Sequence, residues 1–386
     1  MIPYGCQDIT AADVEAVVEV LRSDFLTQGP MVPRFEHAVA KKVGANHAIA
    51  VNSATSALHI ACLALGLDSG DRLWTSPNTF VASANCGLYC DATIDFVDID
   101  PLTYNMDTGA LEIKLEQAKK DNVLPKIVIP VHFSGQSCEM AMIHALSQRY
   151  GFKVIEDASH AIGAKYCDEY IGNCRYSDVT IFSFHPVKII TTGEGGLALT
   201  NDNDLASKMN MLRSHGITRD AEKFIQESAG DWYYEQQILG YNYRITDIQA
   251  ALGLSQLDRI DDYIVKRNEL AGVYNKELAD LPLQLPTIRE QNYSAFHLYV
   301  IRLNISKLNK SHAQIFNELR KQGIGVNLHY LPVHLQPYYR NLGFSVDQFP
   351  KAEVYSKEAI SLPMYPKLTE SEQKRVVNVL RHILES

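Results

Sequence analysis

From residue 47 to residue 200, short apolar runs alternate with stretches in which apolar residues recur every three or four positions. The first pattern predicts buried strands and the second amphipathic helices. Strands are expected at residues 47–51, 72–75, 94–99, 127–132, 153–157, 179–184 and 197–200. Helices are expected from the turn Asn52-Ser53 through Leu65, where Gly66 ends the run, and at residues 82–89 and 139–149. This rhythm is that of a mostly parallel sheet covered on both faces. Ahead of it, residues 11–22 place Val14, Val17, Val18 and Leu21 on one helical face, with Thr10 and Asp13 spaced as a capping box. Residues 33–43 predict a second helix that stops at Gly44. Beyond about residue 262 the pattern gives a strand near 297–303, a helix near 311–322, a strand near 326–330 and a last helix from about Thr369. The expected organisation is an α/β large domain over residues 1–262, with a mostly parallel central sheet, and a smaller α+β domain over residues 263–386.

A chain of 386 residues can bury a sizeable core. Its formal net charge is −9, and its Lys and Arg residues are scattered, so no nucleic-acid partner is expected and an anionic ligand must be held locally. The N-terminal MIPYGCQDIT has neither a basic nor an apolar leader region, and no window approaches a membrane span. A soluble cytoplasmic protein is expected. The seven cysteines include no CxxC pair and no histidine at zinc-like spacing, which favours reduced thiols and no metal.

Three segments carry candidate chemistry. Ile155-Glu156-Asp157-Ala158-Ser159-His160 is a strand ending in an acid at the mouth of a parallel sheet, where such sheets place ligands. Asp157 suits a partner for a protonated pyridine nitrogen, and equally a cap for the turn that follows. Glu156 alternates to the other face. In Phe182-Ser183-Phe184-His185-Pro186-Val187-Lys188, a lysine follows a buried strand and precedes the glycine-rich Thr191-Thr192-Gly193-Glu194-Gly195-Gly196. A lysine desolvated there loses its proton and attacks an aldehyde, whereas most loop lysines are merely solvated. Ser183 is placed to bond a phosphate oxygen or its own backbone. Asn52-Ser53-Ala54-Thr55 opens a helix and offers free N–H groups to a phosphate, as many helix starts do without a ligand. Phe80 suits a stacking position or the core. Each signal alone is weak, and their coincidence after successive strands favours a single ligand touching all of them.

Taken together, NSATSALHIACLALG, EDASHAIGAKY, FSFHPVKIITTGEGGLALTND, RSHGITRD and YNYRITDIQAALGLSQL resemble the DegT/DnrJ/EryC1/StrS family of sugar aminotransferases over nearly the whole chain. The resemblance implies the fold-type I architecture of pyridoxal 5′-phosphate (PLP) enzymes and a homodimer with shared active sites. It implies Lys188 as the catalytic residue that carries PLP, Asp157 at the pyridinium, and His160 beside the ring hydroxyl. Phe80 matches the stacking position, and Ala54, Thr55 and Ser183 the phosphate region. Asn242 matches a residue reaching the phosphate from the other subunit. Tyr4, the segment Asp24, Phe25, Leu26 and Thr27, and the segment His329, Tyr330, Leu331 and Pro332 fall where relatives contact the nucleotide-sugar, with Ala54, Ser183 and Asn242 beside it. The implied reaction is amination, by L-glutamate, of the C4 ketone of a UDP-linked 4-keto-6-deoxy-N-acetylhexosamine on the pseudaminic acid route. Other 4-keto nucleotide-sugars, of the GDP-perosamine or bacillosamine type, share these cofactor motifs. A sugar-deoxygenating branch of the family has histidine in place of the lysine, so Lys188 points to amination. A non-catalytic protein of the same fold is the reading from a different class.

Overall fold

The computed structural model describes residues 1–385. At its centre lies a seven-stranded sheet in the order His47–Val51, Gly196–Thr200, Val179–Ser183, Lys153–Asp157, Ile127–Ile129, Arg72–Thr75, Thr93–Phe96. Gly196–Thr200 runs antiparallel to both its neighbours, and every other pairing is parallel. Because the strands are buried on both faces, alternate residues feed opposite cores. Val154, Phe182, Leu197 and Leu199 pack with Phe35, Trp74 and Tyr263 on one side. Ile155, Ile181 and Ala198 pack with Ile49, Leu58 and Ile129 on the other. This double burial is why the strands read as continuous apolar runs.

The helix Ala11–Leu21 has the predicted capping box, with the Thr10 N–H donating to Asp13 at 2.8 Å. Met31–Val43 ends at Gly44, whose φ of +84° is left-handed. Ser53 caps Ala54–Ala64, its hydroxyl accepting from the Ser56 N–H at 3.1 Å. The sequence pattern missed the helices Thr108–Lys120, Asn203–Arg213 and Asp247–Leu257, although Asp107, Asp202 and Thr246 cap them.

Three expected strands need correction. The run at 94–99 is a ladder only over Thr93–Phe96, after which the chain turns to bridge Ile99 with Met106. The run at 127–132 stops at Ile129, because Pro130 has no N–H to continue the ladder. Residues 326–330 form no strand; Asn327 alone bridges Ser361, and the segment then turns inward towards the large sheet.

C-terminally, Leu283–Gln284, Tyr299–Leu303 and Ala359–Leu362 form an antiparallel sheet packed under the helices His312–Lys321 and Glu370–Glu385. Ile301, Leu303, Ile315, Leu319, Val376 and Leu380 are buried together there as a third core. We propose that this core marks the smaller domain; position 262, the expected boundary, falls inside the helix Ile260–Glu277. No helix is long and apolar enough to cross a membrane among the described residues.

Candidate active site

Register brings the site together. Gly196 pairs with Val51 on one side and Ser183 on the other, so the Asn52-Ser53 turn, the Thr191–Gly196 return and the end of Val179–Ser183 meet at one edge of the sheet. Asp157 pairs with Ile181 beside them. A cavity of about 720 Å³ opens at this edge. Its walls include Tyr4, Ala54, Thr55, Phe80, Asp157, His160, Ser183, Lys188, His329 and Tyr330, ten of the residues expected from sequence.

Gly196 is needed for the close approach: a Cβ there would lie 2.4 Å from the Ala54 nitrogen and the Ser53 carbonyl carbon. Both are backbone atoms that cannot rotate away. The neighbouring Ala54 and Thr55 amides, at the start of the helix, bond no acceptor among the described residues. Two free N–H groups and the positive end of a helix form an anion cradle. Gly196→Ala is therefore expected to push strand and helix apart, costing about 1–3 kcal/mol of stability by chemical denaturation and weakening phosphate binding.

Asp157 is buried at the end of its strand and is held by two serines. Its Oδ2 accepts from the Ser83 hydroxyl at 2.6 Å, and its Oδ1 accepts from the Ser159 hydroxyl at 2.6 Å and the Ser159 N–H at 3.1 Å. It thus caps the following turn with one oxygen and faces the cavity as well, so the two sequence readings are compatible. Glu156 points to the opposite face, where His132 Nε2 lies 2.6 Å from its carboxylate and Ser177 and Thr180 donate to it. Against burial, Cys138 and the Glu156 carboxylate together raise the His132 imidazole to about 10, and His132 in turn holds Glu156 below the usual carboxylate range.

Lys188 lies on the loop between Val179–Ser183 and Gly196–Thr200. The loop is closed by Thr192 N–H donating to Phe184 O at 3.0 Å, Phe184 N–H to Gly195 O at 2.9 Å, and the Thr191 hydroxyl to Phe184 O at 2.9 Å. Its amine meets no hydrogen-bond acceptor among the described residues. Burial brings its pKa down to about 8, partly offset by the attraction of Asp157. An amine so placed is substantially neutral at mildly alkaline pH and nucleophilic. Since the unfolded chain keeps a lysine near 10.5, it binds the extra proton between about 8 and 10.5. Lys188 therefore weakens the fold below this window, and the penalty fades as pH rises through it. Lys188→Met is expected to raise the melting temperature of cofactor-free protein at pH 7, with the gain shrinking towards pH 10.

Other expected residues lie off the cavity walls. Phe25 and Leu26 are exposed, and Thr27 bridges Thr246. Asp24 shares this loop, which buried Asp247 anchors by accepting from Gly29 and Met31 N–H, each at 2.8 Å. Asn242 bridges Ser214, and its sequence neighbours Tyr241 and Tyr243 stack their rings on each other. Leu331 is exposed, and Pro332 begins the turn Val333–Leu335. The sequence reading missed Ser83, Ser159, Asn327 and His297. Ser159 is in the quoted hexapeptide and its spacing from Asp157 suits a local cap; Ser83 and His297 come from distant elements and had no local signal.

The profile of the DegT/DnrJ/EryC1/StrS aminotransferase family matches residues 7–381. The spore coat polysaccharide biosynthesis protein SpsC of Bacillus subtilis is 40% identical over 100% of this chain and 97% of its own length. A UDP-4-amino-4,6-dideoxy-N-acetyl-beta-L-altrosamine transaminase of Campylobacter jejuni is 37% identical over 100% and 98%. Among solved structures, Helicobacter pylori PseC, an aminotransferase involved in the biosynthesis of pseudoaminic acid, superimposes with a TM-score of 0.90 at 32% identity, covering 100% of this chain and 99% of that one.

Proposed function

This chain belongs to the DegT/DnrJ/EryC1/StrS aminotransferase family and is a sugar aminotransferase, and from that premise we propose that it aminates the C4 ketone of a UDP-linked 4-keto-6-deoxy-N-acetylhexosamine with L-glutamate. The products are UDP-4-amino-4,6-dideoxy-N-acetyl-β-L-altrosamine and 2-oxoglutarate, on the route to pseudaminic acid. The observation that carries the reading is the desolvated amine of Lys188 in one cavity with Asp157 and the free amides of Ala54 and Thr55.

Members of this family depend on PLP, and the residues present fit it. Lys188 would hold its aldehyde carbon, Asp157 its ring nitrogen, and Ala54, Thr55 and Ser183 its phosphate. Phe80 would cover a ring face, His160 would lie by the ring hydroxyl, and Asn242 would reach across from a second copy of the chain in a homodimer. When bound, the group supplies an electron sink beside the carbon that gains or loses its amino group. The chain's own part is acid–base work and orientation. Lys188 Nζ, once free, takes the proton from the donor carbon and returns one to the sugar carbon. Asp157, locked by Ser83 and Ser159, would present a fixed carboxylate to the ring nitrogen. Tyr4, the Asp24–Thr27 loop and the segment from His329 to Pro332 would bind the nucleotide-sugar.

The similarity to the spore coat protein favours a second reading, amination of another 4-keto nucleotide-sugar. Incubation with glutamate and, separately, the UDP-linked L-arabino-4-ulose, a bacillosamine-type UDP-4-keto-sugar and GDP-4-keto-6-deoxymannose separates the two. The proposal requires the largest kcat/KM on the first; a preference of tenfold or more for either other sugar overturns it.

A further inference from the structure

Three buried histidines, His160, His297 and His329, stand round the cavity with Lys188, and the exposed His185 also lines it. Burial, reinforced by the positive charge of Lys188 and by the histidines themselves, holds His160 and His297 well below the ordinary imidazole range and brings His329 down to about 3. His160 faces Lys188 and His329 electrostatically, the His297 ring 4.4 Å away, and the Tyr330 hydroxyl. Its ring is neutral and carries one proton, and two hydrogen bonds decide which nitrogen holds it.

The Ser134 N–H donates to His160 Nδ1 at 3.3 Å. A backbone N–H cannot accept, so Nδ1 presents its lone pair and the proton sits on Nε2. Nε2 lies 3.2 Å from the Tyr330 hydroxyl oxygen, which must then accept. Burial and the neighbouring charge of Asp157 push the Tyr330 phenol up, so it keeps its own proton. That proton has no acceptor among the described residues, although Tyr330 lines the cavity. A donor left open beside a ligand site points to an acceptor on the ligand.

Ser134 is fixed for this task. Its φ of +62° lies in the left-handed region that serine rarely adopts. Its hydroxyl donates to Leu298 O at 2.6 Å, and the next residue, Gly135, accepts from Ala295 N–H at 2.9 Å. A Cβ on Gly135 would lie 2.9 Å from the Phe296 nitrogen. Behind the turn, His132 is tied to Glu156, the residue before Asp157, at 2.6 Å.

We propose that Ser134 is a positioning residue whose backbone N–H fixes the His160 proton on Nε2, making the Tyr330 hydroxyl a hydrogen-bond donor to an acceptor oxygen of the bound ligand. The nature of the ligand rests on the aminotransferase reading, whereas the direction of the relay does not. Two sources offer such an oxygen: the cofactor's ring hydroxyl and the ketone of the sugar. At the ketone, the carbonyl pair moves onto oxygen as nitrogen bonds to C4, and a fixed donor stabilises that charge without giving up its proton.

The relay is tested by ¹⁵N-histidine NMR of cofactor-free and PLP-loaded protein from pH 5 to 8, with His160 assigned by the signal lost in His160→Gln. The expected result is a neutral Nε2–H ring throughout. An Nδ1–H ring, or titration within the range, overturns the proposal even if the enzyme aminates sugars. Tyr330→Phe then identifies the acceptor. If it is the ring oxygen, the pH midpoint of the loaded enzyme's visible absorbance shifts by about one unit or more, and the glutamate and sugar half-reactions slow alike. If it is the ketone, the absorbance is unchanged and only the sugar half-reaction slows, by on the order of 10²-fold in kcat. No change in either measurement overturns the donor role, whereas a wild-type enzyme that accepts none of the sugars undermines the substrate reading and leaves the tautomer result standing.

Discussion

Alanine in place of Lys188 is expected to lower amino transfer by on the order of 10³-fold or more, measured as 2-oxoglutarate released from glutamate in the presence of keto-sugar. Two losses combine. In the proposed mechanism the covalent anchor for the aldehyde disappears, and so does the amine that would move the proton between donor and acceptor carbons, a contribution of about 10²–10⁴-fold by itself. No other lysine or arginine lines the cavity, and the buried histidines His160, His297 and His329 are held neutral, so none of these takes over. The visible absorbance of the lysine-bound cofactor should vanish in the same variant. Turnover above a tenth of the wild-type rate would show that another base does the work.

Asp157→Asn should be nearly as damaging although it is almost isosteric. The amide can still accept from one serine, but its NH₂ faces a second hydroxyl donor, and the negative charge is gone. Removing one partner of a desolvated charge pair costs about 2–5 kcal/mol, which corresponds to roughly 30-fold or more in rate. The expected pattern is a fall in kcat of on the order of 10²-fold with the fold intact by circular dichroism. Ser83→Ala, which removes only the 2.6 Å hydrogen bond to Oδ2, should give a smaller loss of the same kind. If Asp157→Asn changed KM for the sugar and left kcat alone, the residue would be contacting substrate instead of the cofactor ring.

How far the sequence reached depended on whether a residue's partners were local. The limits of His47–Val51 were legible because its apolar run Ala48–Val51 is closed by the polar turn Asn52-Ser53, and those of Lys153–Asp157 because Val154 and Ile155 lie between charged residues. Asp157 and Lys188 were legible as candidates because each closes or follows such a run. The strand expected at 326–330 failed for a related reason: Val326 and Leu328 look like alternating core positions, yet Tyr330 turns to His160, 170 residues away in sequence, and Asn78 accepts from its N–H at 3.2 Å. Ser134, Ser83 and His297 were invisible because each is defined by a partner on another element. The helices Thr108–Lys120 and Asn203–Arg213 were missed despite their aspartate caps, since few of their residues face the core and the apolar stripe is thin.

The strand Gly196–Thr200 also has a consequence for how the protein comes into being. It pairs with His47–Val51 across roughly 150 residues of chain. During synthesis, His47–Val51 emerges long before its only strand neighbour in the sheet exists, and its edge stays unpaired until residue 200 has left the ribosome. The anion cradle is therefore completed only after the lysine loop itself has been made, so a truncated or stalled chain should resist capture by the cofactor and present an apolar edge to chaperones or to other unfinished copies.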